Sequence, residues 1–264
     1  MVAYGYLQAV ISRYDNSGDG PNSWPHRKDS ICAFIHRVDP DIIDMQEVLH
    51  HQLEVLKTGL LEYTVVGVGR EDGKTAGESA PIFFTPQNYT LLDQNTFWLC
   101  EKPDSVGMVG WDAALTRIAT WVKLQDKKTG QILMVVNTHF DHIGTEARRN
   151  SALLIIEKIK EIVGTSPAIL TGDFNVSEDW DAYKTITNNE FILKDAHKVA
   201  GKRTGVDFTY HNFGKIPAEK CEKIDFIFVT PQIRVISSYI PFSQLNDTLF
   251  LSDHNPEIVE LEIK

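Results

Sequence analysis

The spacing of apolar residues changes along the chain, and these changes predict its secondary structure. Over residues 28–38, apolar side chains recur at three- and four-residue intervals, which is the spacing of one helix face. Residues 132–136 are apolar without a break, which is typical of a strand covered on both faces. The same reasoning predicts helices at residues 28–38, 50–58, 145–163 and 179–187. It predicts strands at residues 5–12, 41–44, 63–68, 81–84, 89–92, 116–124, 132–138, 167–170, 208–211, 224–229, 233–240 and 257–263.

The order of these elements predicts the fold class. The chain shows no internal repeat, low-complexity tract or Pro/Gly/Ser-rich linker, so we expect residues 1–264 to form a single domain. Helices inserted between groups of strands favour a four-layer α/β sandwich, in which two packed, mostly antiparallel β-sheets are flanked by helices.

Charge and cysteine content narrow the function classes. The net charge of −10 disfavours strong binding of duplex DNA, because such binding needs clustered Lys and Arg. Cys32, Cys100 and Cys221 form no CxxC or zinc pattern and imply no disulfide framework. No apolar run has the roughly 20 residues of a membrane span, and the N-terminus does not resemble a signal peptide. We therefore expect a soluble monomer that is cytoplasmic, or periplasmic or secreted if a leader has been removed.

Five apolar strands end in, or contain, polar residues able to bind a cation or transfer a proton. These clusters are Asp44-Met-Gln-Glu47, Asn137-Thr-His-Phe-Asp-His142, Gly172-Asp-Phe-Asn175, Lys223-Ile-Asp225 and Ser252-Asp-His-Asn-Pro256. Singly, each also fits a structural role: Asp173 fits a turn, Asn175 a helix cap and His139 a core position. Asp225 fits one less well, because it lies in an apolar run and a buried carboxylate needs a cation, a histidine or several donors.

Together these side chains are typical of metal-assisted attack of water on a phosphoester. A hard cation such as Mg²⁺ or Mn²⁺ takes carboxylate and water ligands and polarises phosphoryl oxygens, and a histidine held by a carboxylate transfers protons near neutral pH. Zinc would prefer a His/Cys set of ligands. The sequence contains no Gly-x-Ser-x-Gly elbow, no P-loop and no dinucleotide glycine motif, so those alternatives lack support.

At these residues the sequence resembles the endonuclease/exonuclease/phosphatase superfamily. The matching segments are Gln46-Glu47, Asn137-Thr-His139, Gly172-Asp-Phe-Asn175, Ile224-Asp225-Phe-Ile-Phe and Ser252-Asp-His254-x-Pro256. They follow the family's order and span nearly the whole chain. Trp24-Pro-x-Arg27, Trp111-Asp112 and Arg117-Ile-Ala-Thr-Trp121 also resemble a bacterial subgroup of that family. The resemblance implies a phosphoester hydrolase with a Mg²⁺ or Mn²⁺ cofactor.

The resemblance also implies roles for individual residues. Glu47 would bind the metal, and Asp253 would bind it or orient it through water. Asp225 would hold His254, and this pair would act on the attacking water or on the scissile phosphate.

A second group of residues would surround the attacking water. Asp173 would position and activate the water, and Asn175 would contact a phosphoryl oxygen. His139 would contact the phosphate or protonate the leaving group, with Glu78 as a candidate partner. The sequence leaves open which histidine is the base and which is the acid.

One position departs from the family pattern. The family's first strand ends in a metal-associated asparagine, but this chain reads Val10-Ile11-Ser12-Arg13-Tyr14-Asp15, with Ile11 at the asparagine position. Ser12 is expected to point to the opposite face of the strand, and Asn16 lies too far along to substitute. We therefore expect weaker metal binding, with water in place of the amide.

Clues to the substrate are few. Arg117, near the end of an aromatic-bearing strand, fits a phosphate clamp and a surface ion pair equally well. Trp111 fits a stacking platform for a base or sugar, or a core position. Asn137 is a third substrate-binding candidate, and Asp141 and His142 are expected at the same cavity mouth.

Three hypotheses follow. The first is a metal-dependent phosphodiesterase or phosphatase acting on a phosphorylated small molecule or single-stranded nucleic acid. The second is a nuclease on longer nucleic acid, which the negative charge disfavours. The third, motivated by Ile11, is a degenerate member that binds phosphorylated ligands without turnover. The intact set of Asp173, Asp225 and His254 argues against the third hypothesis.

Overall fold

Thirteen strands and five helices form the part of the chain that the computed structural model describes, residues 3–13, 15, 17–164, 166–188 and 193–264. The helices are α1 (Trp24–Val38), α2 (His50–Gly59), α3 (Thr145–Val163), α4 (Asp181–Thr187) and α5 (Ala196–Val199). The strands are β1 (Ala3–Val10), β2 (Ile42–Gln46), β3 (Thr64–Val66), β4 (Ile82–Phe84), β5 (Tyr89–Trp98), β6 (Ile118–Asp126), β7 (Ile132–His139), β8 (Ala168–Asp173), β9 (Lys194–Asp195), β10 (Lys202–Gly205), β11 (Asp225–Val229), β12 (Ile233–Ile240) and β13 (Glu257–Ile263).

The strands form two mixed sheets. The first has the order β10-β12-β13-β1-β2-β4-β3, and the second has the order β5-β6-β7-β8-β11-β9. Neighbouring strands are antiparallel except for β1–β2, β10–β12 and β7–β8, which are parallel. This arrangement confirms the predicted pair of mostly antiparallel sheets.

Alternating side chains divide the core into three apolar layers. In β2, Ile42 packs between the two sheets while Ile43 packs under α1 and α2. In β8, Ile169 packs between the sheets while Leu170 packs under α3 and α4. The order of layers is therefore helices, sheet, sheet, helices, which confirms the four-layer sandwich. Across the residues that the structure describes, no helix is both long enough and apolar enough to cross a membrane.

Short elements account for most of the differences from the sequence-based expectations. Residues 208–211 were predicted as a strand, but Tyr210 forms only isolated bridges to Glu222 and His254. Helix α1 begins earlier than predicted, since Pro25 lies in its first turn, where a missing N–H costs little. Helix α5 and strands β9 and β10 were not predicted, because four residues or fewer carry too little periodicity.

A buried amide joins the two sheets beneath the end where the polar clusters meet. Asn137 of β7 donates from Nδ2 to the carbonyl oxygens of Met45, at 2.7 Å, and Pro81, at 2.9 Å. Its Oδ1 accepts from Nε2 of Gln46 at 2.6 Å. Asn137 is fully buried, so these bonds replace the water that its amide would otherwise hold.

We predict that Asn137→Ala lowers the free energy of unfolding by about 3 kcal/mol, because it removes the donor to the Met45 carbonyl, one of two donors to the Pro81 carbonyl and the acceptor of the Gln46 amide. Asn95→Ala, at an exposed position of β5, is the control and should change it by less than about 0.5 kcal/mol. Urea unfolding at equilibrium measures both changes. Equal effects of the two substitutions would contradict the cross-sheet role.

Candidate active site

Strand register brings three predicted catalytic residues into one row. His139 at the end of β7 is paired with Asp173 at the end of β8, and Asp173 is paired with Asp225 at the start of β11. Alternate residues of a strand share a face, and these three side chains lie on the face that looks toward the first sheet. From that sheet, Nε2 of Gln8 donates to Oδ1 of Asp225 at 3.1 Å.

Asp225 and His254 form a buried pair. Nδ1 of His254 lies 2.8 Å from Oδ2 of Asp225, and both residues are at most 5% exposed. Burial alone would lower the pKa of His254, but the Asp225 carboxylate outweighs it and holds the pKa well above its ordinary value. The ring of Tyr210 packs against the imidazole, with centroids 4.9 Å apart. The hydrogen bond to Asp225 therefore fixes the imidazole of His254, which lines the cavity above the pair.

His139 lies between two carboxylates on the other side of the row. Its Nε2 is 3.4 Å from Oδ2 of Asp173, and its Nδ1 is 3.9 Å from Oε2 of Glu78. Glu78 is held by Arg70 at 2.7 Å and by Arg13 at 3.5 Å. Burial and the nearby arginines lower the pKa of His139 well below its ordinary value. The pKa values of His139 and His254 are thus shifted in opposite directions. Glu78, the candidate partner of His139, lies near its Nδ1 but beyond hydrogen-bond distance.

Asp173 and Asn175 occupy a tight turn after β8. Oδ1 of Asp173 accepts from the backbone N–H of Asn175 at 2.9 Å, and Nδ2 of Asn175 donates to the carbonyl of Phe140 at 3.0 Å. Asn175 has φ 50°, a left-handed conformation that asparagine adopts more readily than most residues. Burial and the negative charge of Asp225 raise the pKa of Asp173, so its carboxylate is a stronger base than usual.

Glu47 follows β2 at a strained position. Its φ of 60° is unusual for a glutamate, and such conformations persist where the surrounding structure fixes them. Oε2 of Glu47 accepts from the backbone N–H of Arg13 at 3.1 Å. Burial, then the charges of Asp253 and Glu78, raise the pKa of Glu47. Glu47 thus lies among carboxylates that repel one another.

These residues surround one cavity of about 340 Å³. Its charged lining consists of the carboxylates Glu47, Glu78, Asp173 and Asp253, the arginines Arg13 and Arg117, and the histidines His139, His142 and His254. Four carboxylates against two arginines oppose entry of a phosphate anion unless a cation is added. Ligand atoms of Glu47, Glu78 and His139 lie within 4.8 Å of one another, and this oxygen-rich set fits Mg²⁺ or Mn²⁺.

Arg117 lines the same cavity, and not all of its N–H donors have an acceptor among the described residues. Its Nε lies 3.4 Å from Asp141, and its Nη2 lies 3.1 Å from Nδ1 of His142. Its Nη1 is buried and, among the described residues, has no hydrogen-bond partner. A buried guanidinium nitrogen without an acceptor fits a phosphate clamp better than a surface ion pair.

Two predicted substrate-binding residues do not line the cavity. The amide of Asn137 is occupied beneath it by Met45, Pro81 and Gln46, so no donor remains for a substrate. Trp111 lies in the loop between β5 and β6, where its backbone N–H donates to Glu101 at 3.1 Å. The sequence motif placed Asn137 near the site, but the direction of its side chain depends on the facing sheet.

Ile11 packs on the helix side of the first sheet. It belongs to the apolar cluster that includes Leu7, Ile31 and Leu251, and it is 2% exposed. It also borders a small apolar cavity of about 20 Å³ that His254 lines from the other side. Ser12 has φ 64° and its hydroxyl is buried without a partner in the described part of the chain. Tyr14 and Asn16 lie outside the described residues.

The sequence did not single out Arg13, Arg70 or Tyr210 for the site. Arg13 and Tyr210 line the cavity, while Arg70 reaches it through Glu78. Arg13 stands two residues after Ile11, in the stretch where the family's first strand ends, and this position was a usable signal. Tyr210 gave none, because its contact with His254 joins segments far apart in the chain.

The two-sheet sandwich and its cavity of carboxylates, histidines and arginines fit the class of metal-assisted phosphoester hydrolases. The sequence model of the Endonuclease/Exonuclease/phosphatase family matches residues 15–254, and the chain belongs to this family. Members of the family are phosphoester hydrolases that depend on a divalent metal.

Several relatives share most of the chain. It is 59% identical to the endonuclease/exonuclease/phosphatase from Bacteroides vulgatus, with a TM-score of 0.97 and all of both chains covered. It is 34% identical to a mannosyl-6-phosphatase from Bacteroides thetaiotaomicron, with a TM-score of 0.91, covering 98% of this chain and 100% of that one. Nocturnin of Drosophila melanogaster is 22% identical to this chain. The matched region covers 83% of this chain and 38% of Nocturnin.

We predict that Mn²⁺ stabilises the protein and that Glu47→Gln removes most of this effect. A ligand at about 100 times its Kd adds about 2.7 kcal/mol. Because Glu47 lies among other carboxylates, Glu47→Gln should also make the metal-free protein more stable. Thermal unfolding with EDTA and with Mn²⁺ measures both effects, and the exposed Glu54→Gln of α2 is the matched control. An undiminished Mn²⁺ shift in Glu47→Gln would remove Glu47 from the ligand set.

We predict that Ile11→Asn costs stability without raising activity. The asparagine would bury an amide among Leu7, Ile31 and Leu251, at a cost of about 2–4 kcal/mol. Urea unfolding and the turnover number with saturating metal test the prediction. A several-fold gain in turnover or in Mn²⁺ affinity would show instead that the family's asparagine can reach the metal from this position.

Proposed function

We propose that the protein is a divalent-metal-dependent phosphomonoesterase acting on a small phosphorylated sugar. One observation carries the proposal: Arg117, whose Nη1 has no hydrogen-bond partner among the described residues, lines the same cavity as His254, Asp173 and Glu47. A phosphate dianion in that cavity would satisfy the arginine and the imidazolium together. The 34% identity to a mannosyl-6-phosphatase over nearly the whole of both chains supports a monoester of a sugar.

The residues divide the reaction between them. Glu47, with Glu78 and His139 beside it and Asp253 on the same cavity wall, would hold the metal. When bound, the metal supplies a Lewis acid that polarises the phosphoryl oxygen. His254 has Nδ1 engaged with Asp225, so its Nε2 stabilises negative charge on the phosphoryl oxygens.

Asp173 is the general base of the proposed mechanism. Its raised pKa suits removal of a proton from the attacking water near neutral pH. The water oxygen forms a bond to phosphorus as the bond from phosphorus to the sugar oxygen breaks. That oxygen leaves as an alcohol after it takes a proton from His254, whose pKa the Asp225 carboxylate raises despite burial. Asn175 adds an amide at the same cavity wall.

The alternatives predict different substrates for the same site. A nuclease on longer nucleic acid needs a basic surface, and the net charge of −10 disfavours it. A ligand-binding protein without turnover has no need of a charged imidazole opposite a basic aspartate. A diesterase would turn over a diester more rapidly than a sugar monoester.

We predict metal-dependent hydrolysis of a hexose 6-phosphate, faster than that of bis-p-nitrophenyl phosphate and abolished by EDTA. Asp225→Asn and His254→Ala should each lower kcat by about 10²–10⁴-fold, the contribution of general acid–base catalysis. Phosphate release with Mg²⁺ and with Mn²⁺ measures these effects. The exposed Asp207→Asn and His50→Ala are matched controls and should retain wild-type kcat.

Two results would count against this assignment. Faster turnover of the diester would favour a phosphodiesterase. Loss of phosphate release from every substrate, with Mn²⁺ binding intact, would favour the ligand-binding alternative.

A further inference from the structure

A second cavity is lined by the same two chain segments as the catalytic cavity. Its volume is about 300 Å³, and Thr145 and Val176 line it. Their near neighbours His142 and Asn175 line the catalytic cavity. The segments that follow β7 and β8 therefore contribute side chains to both cavities.

An exposed tryptophan forms one wall of this second cavity. Trp180 is 44% exposed, which is unusual for so large an apolar side chain. The guanidinium carbon of Arg148 lies 4.8 Å from the centroid of its ring. This cation–π contact fixes the orientation of the ring and leaves part of its surface open to the cavity.

Arg148 brings a buried donor to the same cavity. The residue is 4% exposed, and it donates from Nη1 to the carbonyl of Asp141 at 2.9 Å and from Nη2 to Oγ1 of Thr145 at 3.4 Å. Its Nε is buried and has no acceptor among the residues that the structure describes. A buried donor without an acceptor is disfavoured, and a hydroxyl of a bound ligand would satisfy it.

The remaining charges indicate what kind of ligand fits. Asp179 and Asp181 line the cavity and are exposed, so they can accept hydrogen bonds from hydroxyl groups. Their negative charge disfavours a second phosphate, and hence a nucleic-acid backbone. An aromatic face, a donor and two acceptors together suit an uncharged ring with one apolar face and several hydroxyls, which is a sugar.

We propose that the Trp180 cavity binds the second sugar of a phosphorylated glycan whose terminal sugar phosphate enters the catalytic cavity. This inference rests on the proposed monoesterase function, and it narrows the substrate from a free sugar phosphate to an oligosaccharide. Trp180 supplies the stacking surface, and Arg148, Asp179 and Asp181 bind the hydroxyls.

The test compares a hexose 6-phosphate with a disaccharide that carries the same phosphate on its non-reducing sugar. In the wild type, the disaccharide phosphate should have a KM about 10-fold lower than the hexose phosphate. Trp180→Ala should remove this difference and leave kcat and KM for the hexose phosphate unchanged, which also shows that the variant is folded. Trp180→Phe should restore most of the preference. Leu153→Ala, at a half-exposed position of α3, is the control.

Binding of the unphosphorylated disaccharide, followed by saturation-transfer NMR, tests the cavity independently of catalysis. A signal in the wild type that is lost in Trp180→Ala supports the proposal, even if no phosphate ester is hydrolysed and the catalytic assignment fails. Absence of that signal, or equal KM values for the two sugar phosphates in the wild type, overturns it. A Trp180-dependent preference for a dinucleotide carrying a terminal phosphate over both sugars also overturns it, in favour of a nucleic-acid substrate.

Discussion

Two sheets packed face to face exclude water from the gap between them, so each polar group in the gap needs a partner from the protein. In the middle of the gap, amides meet this requirement. Nε2 of Gln8 donates to Gln46, and Nε2 of Gln46 donates to Asn137, which bonds backbone carbonyls of the facing sheet. Asp44 is held there by Tyr6 and Thr171, and burial raises its pKa to about 7.

At the open end of the gap, the side chains that face the opposite sheet are carboxylates and imidazoles. Neutral hydrogen-bond partners cannot compensate the charge of these groups. Asp225 is compensated by His254, but Glu47 and Asp173 both have raised pKa values because burial adds to the repulsion of neighbouring carboxylates. A divalent cation would relieve this repulsion and would favour binding of a phosphate. The chemistry of the site therefore depends on carboxylates that lack enough positive partners at the edge where the core meets solvent.

The residues that we propose distinguish one phosphate ester from another lie in loops outside this row. Arg117 and His142 come from the ends of β6 and β7, while Arg148 and Trp180 come from the first turn of α3 and the start of α4. Loops on a rigid sheet can change without disturbing the buried row beneath them. This division accounts for a family that keeps one phosphoester chemistry, while its relatives include both a mannosyl-6-phosphatase and Nocturnin.

The sequence alone determined the features that depend on the spacing of apolar residues along the chain. Helix α3 has the bounds predicted, and the sandwich follows from apolar runs that alternate with amphipathic helices. The motifs identified His139, Asp173 and Asp225 as catalytic candidates, because each lies in or at the end of a recognisable apolar strand, and the strand register then places them in one row.

Tertiary structure decided the rest, because it depends on partners far apart in the chain. Asn137 stands in a matching motif, but the facing carbonyls of Met45 and Pro81 turn its amide inward. Tyr210 reaches His254, and Arg148 reaches Trp180, only after four layers have packed. Periodicity along a strand fixes which face a side chain takes, whereas the neighbour across the gap fixes what that side chain can do.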